Sequence, residues 1–149
     1  MRAVVQWVSG AVCKVSGEIS GEIGAGLLVF LAVGENDSEN DIEYLLKKII
    51  GLRVFEDDQG KMNLSVEETK GSILLIPQFT LYGDVRRGLR PSFHASAGPQ
   101  KARRMYEDFL KKLKDRFDKV QSGVFGAMMD IRADNDGPVT ILIDSDAHF

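Results

Sequence analysis

The residues whose types and spacing could do chemistry lie in the stretch Ile73 to Gly83, which reads ILLIPQFTLYG. Ile73, Leu74, Leu75 and Ile76 form a short apolar run suited to a strand covered on both faces. Pro77 cannot donate to a sheet ladder and so reads as a strand end. Beyond it Gln78 and Thr80 flank Phe79, leaving an amide, a hydroxyl and backbone N–H groups to face a cleft. An enzyme built on such groups would work by positioning and backbone dipoles, with a group on the substrate itself as a further contributor. Thr80 also has the hydroxyl of a nucleophile, yet no neighbouring base stands ready to activate it. On these residues alone an ordinary polar strand end is the simpler reading.

A second set of residues is cationic. Asp84 to Pro91 (DVRRGLRP) is a basic, glycine-containing loop, and Arg86, Arg87 and Arg90 are its candidates for phosphate contact, because guanidinium forks match phosphate oxygens. A merely solvated loop has the same composition. The common hydrolase and nucleotide-binding patterns GxSxG, HExxH and GxxxxGK[ST] are missing from the chain. His94 could border a cleft but has no partner in its vicinity along the sequence, and His148 is penultimate. One cysteine, Cys13, with two histidines cannot assemble a usual zinc site, so neither a metal nor a cofactor is expected.

The elements that must position these groups follow from the patterning. Arg2 to Val15 is valine-rich and partly alternating, Ser16-Gly17 is a turn, and Glu18 to Ile23 pairs back as a hairpin arm. Gly26 to Gly34 (GLLVFLAVG) is a mid-sheet strand. Ser38 caps a helix whose Ile42, Leu45, Leu46, Ile49 and Ile50 recur at helical spacing up to Gly51. Pro99 begins a second helix, with Ala102, Met105, Tyr106, Phe109, Leu110, Leu113 and Phe117 on one face and Lys101, Arg103, Arg104, Lys111, Lys112 and Lys114 on the other. Gly123 to Met129 is irregular and apolar. Asp130 to Ala133 is a strand, Asn135-Asp136-Gly137 a turn, and Pro138 to Ile143 a last strand. The expected fold is therefore α+β, a largely antiparallel sheet or open barrel covered by two helices.

Bulk properties narrow the function classes. A chain of 149 residues, 44% apolar and 28% charged, fits a single domain over 1–149. The longest apolar run, Leu27 to Val33, falls far short of the roughly 20 residues of a membrane helix. No signal segment is evident, so a cytoplasmic address with no membrane partner is expected. A net charge of −3 indicates no protein-wide attraction to nucleic acid. No DNA partner is expected, and RNA contact would have to come from a local patch.

Gln78-Phe79-Thr80-Leu81 together with Asn135-Asp136-Gly137-Pro138-Val139-Thr140 resemble the paired QFTL and NxGPVT signatures of the D-aminoacyl-tRNA deacylases, also called D-tyrosyl-tRNA deacylases. Gly21 to Val29 (GEIGAGLLV), Gly60 to Ser65 (GKMNLS) and Arg90 to Phe93 (RPSF) are similar to segments of that family, in the same order and spacing. The resemblance covers nearly the whole chain. It implies the family's fold and a homodimeric editing enzyme that hydrolyses the ester between a D-amino acid, or glycine mischarged on tRNA(Ala), and the terminal ribose of tRNA. Gly137 and Pro138 would be a cis pair entering the partner subunit's site to reject L-amino acids. Gln78, Phe79 and Thr80 would be the catalytic segment, assisted by the tRNA 2′-hydroxyl, and Met129 would line the pocket, although a methionine before a strand also suits a core.

Two positions depart from the family pattern. Pro77 stands where serine is usual. Trp7 stands where most members have an arginine that holds the Gly-Pro carbonyl, and its indole offers one N–H and no charge. Two rival readings are a non-catalytic tRNA-binding module and a small-molecule esterase unrelated to RNA.

Overall fold

The computed structural model describes residues 1–148. The chain runs β1 (Arg2–Val15), β2 (Glu18–Ile23), β3 (Gly26–Ala32), α1 (Glu39–Ile50), β4 (Phe55–Glu56), β5 (Met62–Leu64), β6 (Ser72–Pro77), α2 (Pro99–Arg116), β7 (Val120–Ser122) and β8 (Asp130–Asp144). A 3₁₀ turn, Phe79–Tyr82, follows β6. This is the expected α+β architecture with two covering helices.

β1 is the axis of the sheet. Its length allows β3 to pair with residues 2–8 and β2 with residues 11–15 along one edge, while β8 pairs along nearly all of the other. These three pairings are antiparallel. β3 with β6 and β6 with β7 are parallel, each joined by a crossover that carries a helix, α1 in the first and α2 in the second. β7 returns beside β2, so the sheet curls into a nearly closed barrel.

The apolar runs of β3 and β6 now have a physical reason. Alternate side chains point to opposite faces of a strand. Ile73 and Leu75 enter the core under the helices, while Leu74 and Ile76 enter a second cluster with Val8, Ala11, Cys13, Ile23 and Leu28. Both faces are buried, so a continuous greasy run is required. Gly26 begins β3 directly against Ser72 of β6, so close that an added Cβ would collide with the Ser72 backbone.

α1 starts with a capping box: the Ser38 N–H donates to Asp41 Oδ2 at 2.7 Å. It buries Ile42, Leu45, Leu46 and Ile49. α2 buries Ala102, Met105, Tyr106, Phe109 and Leu113, and the helices are tied by Lys112 and Arg116, which reach Glu43 at 3.0 and 2.7 Å. Part of the basic face read from the sequence is thus spent on α1. Among the described residues no helix is long and apolar enough to cross a membrane.

The sequence divides residues 130–143 into two strands and a turn, but the structure has one strand, β8, carrying a large bulge. Gln6 pairs with Thr140 and Val8 with Asn135, so a single residue of β1, Trp7, stands opposite the four residues Asp136 to Val139. β7 was not expected.

Candidate active site

The cleft lies where β3 and β6 end, at the carboxyl ends of two parallel strands, the usual place for a ligand site in parallel sheets. The Gln78 N–H donates to the Leu31 carbonyl at 2.8 Å and prolongs the β3–β6 ladder by one bond. The backbone then leaves the sheet, with Gln78 at φ −147° and ψ 78°, and coils into the 3₁₀ turn. Its first i→i+3 bond runs from the Leu81 N–H to the Gln78 carbonyl at 3.3 Å. The N–H groups of Phe79 and Thr80 precede that bond, so helix geometry gives them no intrahelical acceptor.

Anchors behind the turn hold it in place. Tyr82 is buried beneath the Arg2 guanidinium, which lies 4.4 Å from its ring centre. Arg2 also donates to the Leu81 carbonyl at 3.2 Å and to Asp144 at 2.9 Å. Burial, and then the nearby negative charge of Asp37, push the Tyr82 hydroxyl well above its ordinary pKa. Tyr82 is therefore a structural phenol.

The cleft has a volume of about 740 Å³. Pro77, Gln78, Phe79 and Thr80 form one wall, and Met129 joins Phe125 to Met128 on another. Phe93, Ser96 and Ala97 come from the loop before α2, and Pro99, Ala102 and Tyr106 from α2 itself. Phe79 is half exposed at the mouth and packs edge-on against Phe93, with ring centres 5.1 Å apart. Gln78 Nε2 donates to the Thr80 hydroxyl, so the two polar side chains are coupled.

Tyr106 is the one titratable group among the described lining residues. Its hydroxyl donates to the Leu75 carbonyl at 3.1 Å, and burial raises its pKa well above the ordinary phenol value. Leu75 also accepts from the Gly123 N–H at 2.9 Å, so removing the phenol leaves no orphaned carbonyl. Tyr106→Phe is accordingly expected to cost about 1 kcal/mol in a denaturation midpoint. A loss several times larger would mean that the hydroxyl braces more than this one bond.

The other sequence-derived candidates lie elsewhere. Gly137 and Pro138 are exposed, joined by a cis peptide bond, and are not among the residues lining the cleft of their own chain. Arg86, Arg87 and Arg90 are exposed on a loop closed by two bonds between Asp84 and Ser92, at 2.8 and 2.9 Å. Arg86 forks onto Asp84 at 2.9 and 2.7 Å, which holds that carboxyl far below the usual carboxylate range. His94 is exposed and does not line the cleft. The Trp7 ring packs edge-on against Phe55, with centres 5.4 Å apart.

Sequence reasoning missed Phe93, Tyr106 and Phe125 as walls. Tyr106 and Phe93 sit in patterns that read as core and loop. The signal for the third wall was present in residues 124–129, an apolar run without any period, which neither a helix nor a strand explains.

These observations define the class first: a helix-covered α+β barrel whose cleft, at the carboxyl ends of β3 and β6, presents main-chain donors and neutral polar side chains. The family model described as D-Tyr-tRNA(Tyr) deacylase matches residues 4–144. The chain is 55% identical over 150 residues to the D-aminoacyl-tRNA deacylase of Thermosipho melanesiensis, and 54% identical over 149 residues to that of Halothermothrix orenii, with all of both chains covered in each case. A solved structure described as c-Myc DNA Unwinding Element Binding Protein superposes with a TM-score of 0.93 at 39% identity, covering 97% of this chain and 99% of that one. A probable eukaryotic D-amino acid tRNA deacylase, at 20% identity and a TM-score of 0.81 over 95% and 97%, shares the fold. The chain belongs to the D-Tyr-tRNA(Tyr) deacylase family.

Proposed function

We propose that the protein, as one domain spanning residues 1–149, hydrolyses the ester joining a D-amino acid to the 3′-terminal ribose of tRNA. Glycine mischarged on tRNA(Ala) is a further substrate. The observation that carries this reading is a cleft walled by Phe79 and Thr80 at the start of the 3₁₀ turn, with no carboxylate or imidazole among its described lining residues. Such a site suits a reaction in which the substrate brings its own proton-handling group.

In this mechanism Gln78 positions the aminoacyl group, and the N–H groups of Phe79 and Thr80 receive the developing oxyanion. The terminal 2′-hydroxyl of the tRNA orients and activates the attacking water. Water adds to the ester carbonyl, the bond from that carbon to the ribose 3′-oxygen breaks, and the proton passes to that oxygen. Thr80 shapes the wall through its bond from Gln78. Pro77 and Met129 complete the pocket.

Selection is by exclusion. The carbonyls of Gly137 and Pro138, supplied by a second copy of the chain, occupy the space an L-side chain would need. A D-side chain points away from them, and glycine has no side chain to reject. Their exposure, and their distance along β8 from the cleft's own lining residues, support a role in trans and hence a homodimer. Such an enzyme works where charged tRNA is found, in the cytoplasm.

The test is to incubate the protein with matched D- and L-tyrosyl-tRNA and follow ester loss. A clash of about 3 kcal/mol corresponds to a preference of roughly 100-fold for the D-ester. Equal rates would remove the editing reading, and salt-sensitive tRNA binding without ester loss would leave a non-catalytic binding module.

For tRNA contact, Arg86 is held in the bidentate fork onto Asp84, whereas Arg87 acts on that carboxylate only through its nearby charge. Arg87→Ala and Arg90→Ala are each expected to reduce the salt slope of tRNA binding by about 0.7 to 0.9. Arg86→Ala is expected to change it less. A parental slope in all three variants would place the phosphates elsewhere.

A further inference from the structure

The β8 bulge contains a side chain that neither the cleft nor the core explains. Asn135 closes the base of the loop Asp136 to Val139. Its Nδ2 donates to the Trp7 carbonyl at 2.9 Å and to the Val139 carbonyl at 3.0 Å. Those two carbonyls belong to opposite margins of the bulge, where the ladder between β1 and β8 is interrupted. Its Oδ1 accepts from the Thr140 hydroxyl at 3.3 Å, and that hydroxyl accepts from Gln6 Nε2 at 3.3 Å. Gln6 and Thr140 are also the first pair beyond the bulge.

We propose that Asn135 is the positioning residue that sets where the Gly137–Pro138 carbonyls stand, and through them the stereochemical selectivity. The inference rests on the role given to Gly137 and Pro138 above. Donor count distinguishes Asn135 from its isostere aspartate. A carboxamide brings two N–H groups and an acceptor, and here its nitrogen donates to both carbonyls while its oxygen accepts from Thr140. Aspartate has the same shape but only acceptors when ionised, so its carboxylate would face two carbonyl oxygens. A loop released at its base shifts the rejecting carbonyls, which admits L-esters.

The variant is Asn135→Asp, measured as the ratio of D- to L-tyrosyl-tRNA deacylation. Both substrates meet the same folded population, so a loss of folded protein alone leaves this ratio unmoved. The ratio is expected to fall at least tenfold at about pH 7.5, through faster turnover of the L-ester. It is expected to recover in part toward about pH 5, because protonating a carboxyl set against two carbonyls restores one donor. The parent protein should show no such recovery. Should Asn135→Asp fail to fold, Asn135→Ser, which is neutral but too short to reach both carbonyls, is read the same way without the pH arm.

Gly137→Ala run alongside separates the two levels. A collapsed ratio in Gly137→Ala with an unchanged ratio in the Asn135 variant overturns the inference and leaves the exclusion reading standing. An unchanged ratio in Gly137→Ala overturns the exclusion reading itself, and this inference with it.

Discussion

Replacing Gly137 by alanine is expected to lower the ratio of D- to L-tyrosyl-tRNA deacylation at least tenfold. Gly137 sits at φ +103°, a conformation that L-residues rarely adopt. A Cβ built there would stand 2.7 Å from Val139 Cγ2 and 3.0 Å from the Val139 backbone nitrogen. The second contact is with main chain, so rotating a side chain cannot relieve it. The loop itself must move, and the two carbonyls proposed to exclude L-side chains move with it. A loss of about 1.4 kcal/mol of discrimination is already tenfold. The measurement is ester loss from the two matched substrates. A parental ratio and parental rates would mean that the bulge is only a chain reversal.

The second large effect is expected from the substrate side. With a tRNA ending in 2′-deoxyadenosine, deacylation of the D-ester should slow by about 100-fold or more, the range by which a positioned proton-transfer group usually contributes. None of the described residues lining the cleft offers a substitute. Tyr106 is bonded to Leu75 and Tyr82 is buried behind the turn, both with raised pKa values. The Thr80 hydroxyl already accepts from Gln78, and His94 lies outside the lining residues. Single-turnover rates with the two tRNAs decide the matter. Undiminished turnover would require a base on the protein and would return the small-molecule esterase reading to consideration.

Much of the architecture could be read from local pattern. The doubly buried runs Leu27–Val33 and Ile73–Ile76 place β3 and β6, Ser38 and Asp41 fix the start of α1, and Pro99 fixes the start of α2. The parallel pairing of β3 with β6 could not be read, because pairing partners are set by the helix crossovers, which are long-range. Residues 130–143 misled for a related reason. Asn-Asp-Gly followed by proline is strong turn chemistry, and only the continuous partner β1 keeps both sides in one strand. In the site, Gln78, Phe79, Thr80, Pro77 and Met129 meet at one cleft. The Arg86 side chain, by contrast, is drawn onto Asp84, a contact invisible to any count of charges.

The bracing of the Gly-Pro loop illustrates the limit of reading by position. Trp7 stands where the resemblance leads one to expect an arginine, and its indole packs edge-on against Phe55. Its main-chain carbonyl is still engaged, through Asn135. A substitution that looks damaging in sequence thus leaves a backbone contact whose donor lies on another strand.

The proposed rejection by the Gly137 and Pro138 carbonyls across a proposed dimer is tested by mixing subunits. Purified mixed dimers would pair a Gly137→Ala chain, whose pocket is intact, with a Gln78→Ala chain, whose Gly137–Pro138 loop is intact. The sole working pocket then belongs to the Gly137→Ala chain. If the loop serves the opposite subunit, the mixed dimer recovers the parental preference for D-tyrosyl-tRNA. A mixed dimer as unselective as the Gly137→Ala protein would contradict the account.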